Sequence, residues 1–279
     1  MKRLTLVPIG GLANRLRAIA ASYEYCEQNG YDLKIIWICN RELNCRWGEL
    51  FEPLPSHIEV KNVSWYYSLK YGLPRLKNLY IPSLFHRFCF DRVLYQINTE
   101  DFLDDNGLKD DAASVLSDSV LVCTCYEYRS VSPDTYKKLF TPVSGVSDLV
   151  AGYVCQFNDN TFGLHVRRSD NIQSINASPL RLFEEKMDAI LGKYSDARFF
   201  VATDSEEVKE HLKDKYGKHR IIAAATEADR ESKHGMVAAA AELFALTETK
   251  YFYGSYYSSF SDMVLCLNGS NGEILSEKV

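Results

Sequence analysis

The run His165-Val166-Arg167-Arg168-Ser169-Asp170 puts an imidazole, two adjacent guanidinium groups and a carboxylate side by side. Arginine offers a planar fork of donors that matches a phosphate and stays charged at physiological pH. The chemistry this suggests is anion binding and stabilisation of developing negative charge. Strand alternation assigns His165 and Arg167 to one face and Arg168 to the other. Surface salt bridges are the alternative use of the two arginines.

A second candidate is Gly10-Gly11-Leu12-Ala13-Asn14-Arg15, where backbone N–H groups could meet an anion at the positive end of a helix. It has neither the Gly-Lys-Ser/Thr of a Walker loop nor the glycine spacing of a dinucleotide fold. A tight turn with Asn14 as cap is the alternative. Thr203-Asp204-Ser205 precedes Glu206-Glu207 and reads mainly as helix capping, with Asp204 also placed to face a ligand.

Glu242 is the one charge in the helical run Met236 to Leu246. A buried carboxylate is costly unless it is partnered. It could accept the adjacent N1–H and N2–H of a guanine; Arg220, Arg230 or simple exposure would also satisfy it. Finally, Gly254-Ser255-Tyr256-Tyr257-Ser258-Ser259-Phe260-Ser261 supplies hydroxyls and aromatic faces. Ser255, Ser258, Ser259 and Ser261 suit a phosphate or ribose, and an aromatic ring such as Phe260 suits a base.

These residues need a scaffold that brings strand ends together. Leu4 to Ile9 reads as a strand, and Leu16, Ile19, Ala20, Tyr23 and Cys26 recur at helical spacing after it. Asn29-Gly30 closes that helix, and Leu33 to Ile38 is an apolar second strand suited to a parallel sheet. From Glu42 to Thr141 the pattern breaks into aromatic stretches such as Trp65-Tyr66-Tyr67 and Phe85-His86-Arg87-Phe88. These read as small-domain core, with stacking on sugar rings as the alternative. Val120 to Cys125 is a further strand, and Val143 to Asp148 a linker.

Alternation then returns. Strands are expected at Phe162–Val166, Arg198–Ala202, Ile221–Ala224 and Tyr251–Tyr253. Helices lie between them, one capped by Ser178 with Pro179 in its first turn. Such βαβ alternation implies a doubly wound parallel sheet. Ligands of such sheets bind beyond the carboxyl ends of the strands, where all four candidate segments fall. The reading divides the chain into an N-terminal α/β domain over 1–145, on the acceptor side, and a nucleotide-sugar-binding Rossmann-type domain over 146–279.

The chain has 279 residues, 46% of them apolar, and a formal net charge of −5. No apolar run approaches the roughly 20 residues of a membrane-spanning helix. Scattered charge with no basic stripe argues against a nucleic-acid partner. Met1 to Ile9 reads as a first strand and not an export signal. A cytoplasmic protein with its eight cysteines reduced is therefore expected. Their spacing matches no zinc ribbon, and no metal site is expected.

The ordered segments Gly10–Arg15, His165–Asp170, Ala202–Ser205 and Gly254–Ser261 resemble the motifs of the nodulation-type and animal α1,6-fucosyltransferases and their protein O-fucosyltransferase relatives. The resemblance runs over about Phe162 to Leu267 and reduces to the glycine turn in the N-terminal half. It implies a GT-B-like fold of two Rossmann-type domains with parallel sheets facing a cleft. It also implies inverting, metal-independent transfer of fucose from GDP-fucose to a glycan, with no cofactor beyond the donor. On this resemblance His165 and Arg167 bind the diphosphate, Glu242 reads the base, and Ser258 and Ser259 contact phosphate. The acidic position that serves as acceptor base in the animal α1,6 enzymes is Ile175 here, which leaves Asp170 as the nearest carboxylate. A transferase of the same fold using another nucleotide sugar, and a non-catalytic nucleotide- or glycan-binding protein, are the rival readings.

Overall fold

A computed structural model of the chain describes residues 2–64, 86–95, 103–104, 107–108, 118–168, 171–224 and 229–277. Trp65, Tyr66, Tyr67, Phe85, Ser169 and Asp170 lie outside the described residues. The fold is α/β, with two five-stranded parallel sheets. The chain divides into two compact units, Met1–Val143 with Arg230–Lys233, and Ser144–Asp229 with His234–Val279.

In the first unit, strand β1 (Arg3–Pro8) feeds helix α1 (Leu12–Asn29), followed by β2 (Asp32–Cys39) and β3 (Ile58–Ser64). Further on come a short helix α2 (His86–Cys89), β4 (Arg92–Tyr95), a small hairpin β5 (Leu103–Asp104) and β6 (Gly107–Leu108), then β7 (Ser119–Thr124) and helix α3 (Pro133–Leu139). The sheet order is β3-β2-β1-β7-β4. Gly30 ends α1 in the left-handed region, with φ 68° and its N–H on Cys26 O, a conformation glycine adopts without a Cβ clash. The segment read as aromatic stretches thus contains β3 and β4. Their alternation is weak because few of their side chains are buried. Phe88, expected in a core, is exposed.

The second unit begins with helix α4 (Ser144–Val154), so the expected linker is in part the first turn of a helix. Strand β8 (Thr161–Val166), helices α5 (Ile172–Ala177) and α6 (Leu180–Lys193), β9 (Arg198–Thr203), α7 (Glu206–Tyr216), β10 (Ile221–Ala223), α8 (Lys233–Thr247), β11 (Phe252–Ser255), α9 (Ser259–Asn268) and β12 (Gly272–Leu275) follow. The sheet order is β10-β9-β8-β11-β12. β8 and β9 are buried on both faces apart from Arg198, as a helix-covered parallel sheet requires. Phe162, Leu164, Phe183, Met187, Phe199, Val201 and Leu212 form the core on one side.

Two local expectations change. Pro179, not Ser178, is the N-cap of α6. The Ser178 hydroxyl instead donates to Leu275 O at 2.5 Å, because β12 brings an acceptor there that local sequence does not reveal. Asn14 does not cap α1 either: the N-cap is Gly11, with no side-chain capping bond, and Asn14 lies one turn in. Among the described residues, no helix is long and apolar enough to cross a membrane.

Candidate functional site

Parallel register sets the geometry. His165 lies level with Ala202 on β9 and Gly254 on β11, and Val166 with Thr203. Residues Arg167, Arg168, Asp204 and Tyr256 therefore follow the ends of three adjacent strands. Gly254 permits the tightest approach: a Cβ there would sit 2.6 Å from the Ser261 Cβ and 2.8 Å from Ile274 Cδ1. The absence of a side chain lets α9 pack directly on β11.

That close packing builds a hydrogen-bond chain. Ser261 Oγ accepts the Ser255 N–H at 3.0 Å and lies 2.8 Å from His165 Nδ1. Ser255 Oγ accepts the Arg167 N–H at 3.0 Å and donates to His165 O at 3.0 Å. Ser261 Oγ and His165 Nδ1 thus share a hydrogen bond whose donor is set by the ring tautomer. Phe260 packs against the imidazole at 4.6 Å between centroids. Burial, reinforced by Arg167, pushes the His165 pKa down to about 3. The ring is neutral at physiological pH, so it adds no positive charge to that of Arg167.

Arg167 Nη1 pairs with Asp204 Oδ2 at 2.8 Å, and both side chains retain about one-sixth of their surface, 16% and 15%. Asp204 Oδ1 also accepts the Arg168 N–H at 2.7 Å. One carboxylate thus ties together the ends of β8 and β9 and orients the guanidinium. Arg168 serves the scaffold, with Nη1 on Arg167 O (2.7 Å) and Nη2 on Ser178 O (2.8 Å). Thr203 and Ser205 are scaffold as well. The Thr203 hydroxyl donates to Val166 O at 2.6 Å, and Ser205 caps α7 by accepting the Val208 N–H. The Ser205 bond is the helix capping expected of this segment.

Ser258 is the buried N-cap of α9, and its side chain makes no capping bond. The first turn of a helix carries N–H groups with no intrahelical partner and a partial positive charge. Ser259, Phe260 and Ser261 form that turn. The His165–Arg167 end of β8 and the start of α9 therefore combine a cation, a neutral imidazole and a helix start, a set suited to a diphosphate.

Glu242, on α8, is 4% exposed, and the charged groups that act on it are Lys209 and Asp204. Arg220, one of its expected partners, donates to Ser195 O and Ala197 O instead. Burial pushes the Glu242 pKa up to about 8, against the pull of Lys209, and Asp204 adds to the rise. Lys209 is itself buried, with Nζ on Ala224 O at 3.1 Å and Glu206 Oε2 at 3.0 Å. A buried carboxyl is poorly solvated when ionised, and N–H donors placed against it would stabilise that form.

The glycine turn of the first unit is built differently. Gly10 N–H donates to Glu42 Oε2 at 3.0 Å, so a protein carboxylate takes the expected anion's place there. Arg15 is fully buried, with Nε on Gly10 O (2.8 Å), Nη1 on Ile38 O (2.6 Å) and Nη2 on Asn40 Oδ1 (3.0 Å). Burial lowers its pKa to about 10, and Glu42 and Cys39 oppose the change. Arg15 braces the turn rather than presenting its guanidinium to a ligand. Gly11 lies beside Arg230, 3.9 Å from where its Cβ would be, and Asn14 Oδ1 is buried without a partner among the described residues. Segment Arg230–Lys233 joins this unit through Asn44, which donates to Arg230 O and Glu231 O, and through Lys233, which pairs with Glu49 at 2.8 Å.

Sequence reasoning missed Asn171, Ser178, Lys209 and Glu42. Each acts on a partner distant in sequence, such as Asn171 Nδ2 donating to Tyr257 O at 2.8 Å, and no local pattern marks it.

No protein-family model matches the sequence, and no curated protein matches it significantly. Solved structures do match. NodZ α1,6-fucosyltransferase soaked with GDP-fucose aligns over 96% of this chain and 93% of its own, at 15% identity and TM-score 0.63. The chain has a fucosyltransferase-like, GT-B-like fold. A FUT1 variant of Arabidopsis thaliana in complex with GDP aligns over 98% of this chain and 70% of its own, at 16% identity and TM-score 0.58. POFUT1 in complex with GDP-fucose aligns over 98% of each chain at 10% identity and TM-score 0.56. At such identities the fucosyltransferase-like fold is what is shared, and the site has to be argued from its own residues.

Proposed function

We propose that this protein is an inverting glycosyltransferase that transfers fucose from GDP-fucose to a glycan acceptor without a metal ion. The observation that carries the reading is the meeting of Arg167, the neutral His165 and the start of α9 at the ends of β8 and β11. It is supported by a fold shared with NodZ α1,6-fucosyltransferase soaked with GDP-fucose and with POFUT1 in complex with GDP-fucose.

In this reading the second unit binds the donor. Arg167, oriented by Asp204, donates to the diphosphate, His165 in its Nε2–H tautomer adds a further donor, and the first turn of α9 with Ser258 and Ser259 holds the remaining oxygens. Glu242 accepts the guanine N1–H and N2–H. The acceptor hydroxyl oxygen forms a bond to the anomeric carbon as the bond to the β-phosphate oxygen breaks. GDP departs with the electron pair, and its growing charge falls on Arg167, where a preorganised donor is worth several kcal/mol. The hydroxyl proton goes to a general base, a role we assign to Asp170.

Ile175 favours a second reading. It lies half-buried in α5 and has no group that can take a proton, as a nucleotide-binding protein without turnover would permit. Incubation with GDP-fucose and a mixture of glycans, followed by mass measurement, separates the two. Products heavier by one deoxyhexose with release of GDP are expected. Tight GDP binding with no product from any glycan would favour the second reading.

A further inference from the structure

We propose that Tyr256 and Tyr257 form a stacking platform for a sugar ring of the acceptor glycan. The proposal rests on the donor-site reading above. Both rings are exposed, 42% and 57%, and so is Ile172 at 72%. Asn171, which precedes Ile172, donates to Tyr257 O at 2.8 Å, so the three side chains belong to adjoining surface segments. A patch of exposed aromatic and apolar side chains next to polar groups marks a binding surface.

The backbone is held for this display. Tyr257 has φ 52°, in the left-handed region that bulky residues rarely adopt. Two anchors over-determine it: the Asn171 bond to Tyr257 O, and the Tyr256 N–H donating to Ser178 Oγ at 2.8 Å. Ser178 is fixed in turn to Leu275 O. Strain maintained by such bonds gathers at ligand-contacting segments. Here it turns two rings, 4.3 Å apart at 58°, to the surface immediately before Ser258.

Strand order indicates which part of the substrates they meet. Glu242 lies among Lys209 on α7 and Asp204 at the end of β9, whereas β11 is on the opposite side of β8. A nucleotide with its base at Glu242 and its diphosphate at His165 and Arg167 therefore has its sugar end towards Tyr256 and Tyr257. The rings do not face the base. A pyranose presents a face of C–H groups that suits the negative face of an aromatic ring, and the phenol hydroxyls can meet its equatorial hydroxyls.

The test uses the full chain saturated with GDP on a glycan array, with the thermal shift given by GDP and by GDP-fucose measured in parallel. Tyr256→Ala and Tyr257→Asn are the variants; asparagine removes the ring and still tolerates a left-handed backbone. Each should lower retention of the glycans bound by the wild-type protein by about tenfold, with both thermal shifts unchanged. Unchanged retention, or a wild-type protein that retains no glycan, would overturn the platform while leaving the donor site intact. A parallel loss of the GDP-fucose shift would overturn it in favour of contact with the donor. A wild-type protein with no GDP shift would instead overturn the donor-site reading.

Discussion

Two strand ends in this protein carry an arginine beside a turn and a helix start, and they use it in opposite ways. At Gly10–Arg15 the guanidinium is fully buried on Gly10 O, Ile38 O and Asn40 Oδ1, and Glu42 takes the Gly10 N–H. At His165–Arg168 one arginine, Arg168, is turned onto carbonyls, while its neighbour Arg167 pairs with the Asp204 carboxylate and keeps part of its surface. The difference lies in the acceptors that other strands bring. β2 delivers two oxygens to Arg15, whereas β9 delivers Asp204 to Arg167. Arg15 lies inside α1 and Arg167 directly after β8, and the acceptors that the fold brings to each place decide how much of the guanidinium stays exposed.

The comparison can be broken by exchanging its consequences. Arg15→Ala should cost about 3 kcal/mol or more of stability, because three buried acceptors lose their donors; chemical denaturation measures this. Loss of GDP affinity without loss of stability would place Arg15 in the ligand site after all. Arg167→Lys should do the reverse. It keeps the charge but loses the fork, lowering turnover by about a hundredfold with little change in melting temperature. Near-normal turnover would remove Arg167 from the mechanism.

Glu242 sharpens the contrast through pH. Its carboxyl pKa is raised to about 8 in the folded protein, so its contribution to folding is present below the unfolded value and lost as pH rises through about 8. Glu242→Gln should therefore gain stability relative to wild type between pH 5 and 8.5. Guanine N–H donors need the ionised form, so GDP binding should expel a proton and weaken by about tenfold per unit below pH 8. Calorimetry in buffers of different ionisation enthalpy checks this, and pH-independent GDP binding would contradict it. The smallest effect is expected from Ser261→Ala, which removes the partner of His165 Nδ1 and should cost about 1 kcal/mol of stability with a several-fold fall in turnover.

Strands β8 to β11 of the second unit were legible from their apolar runs, as a sheet covered on both faces requires, whereas the edge strand β12, Gly-Glu-Ile-Leu and mostly half-buried, was not. His165, Arg167 and Glu242 stood out because charge at a strand end or inside an apolar helix is hard to attribute to packing. Illegible were β3 and β4, whose side chains are mostly exposed or half-exposed and leave no period. The scaffold roles of Arg15, Arg168 and Thr203 were illegible for another reason: their acceptors Ile38 O, Ser178 O and Val166 O are backbone atoms, which have no sequence signature. His165 was legible in position but not in charge, since neutrality follows from burial beneath Phe260 and proximity to Arg167.

The most direct measurement is a calorimetric titration of the full chain with GDP, UDP and ADP at pH 8, repeated with Glu242→Gln. The account predicts binding of GDP in clear preference to the other two and loss of that preference in the variant. Binding of UDP alone, or a preference for GDP that survives the substitution, would contradict it.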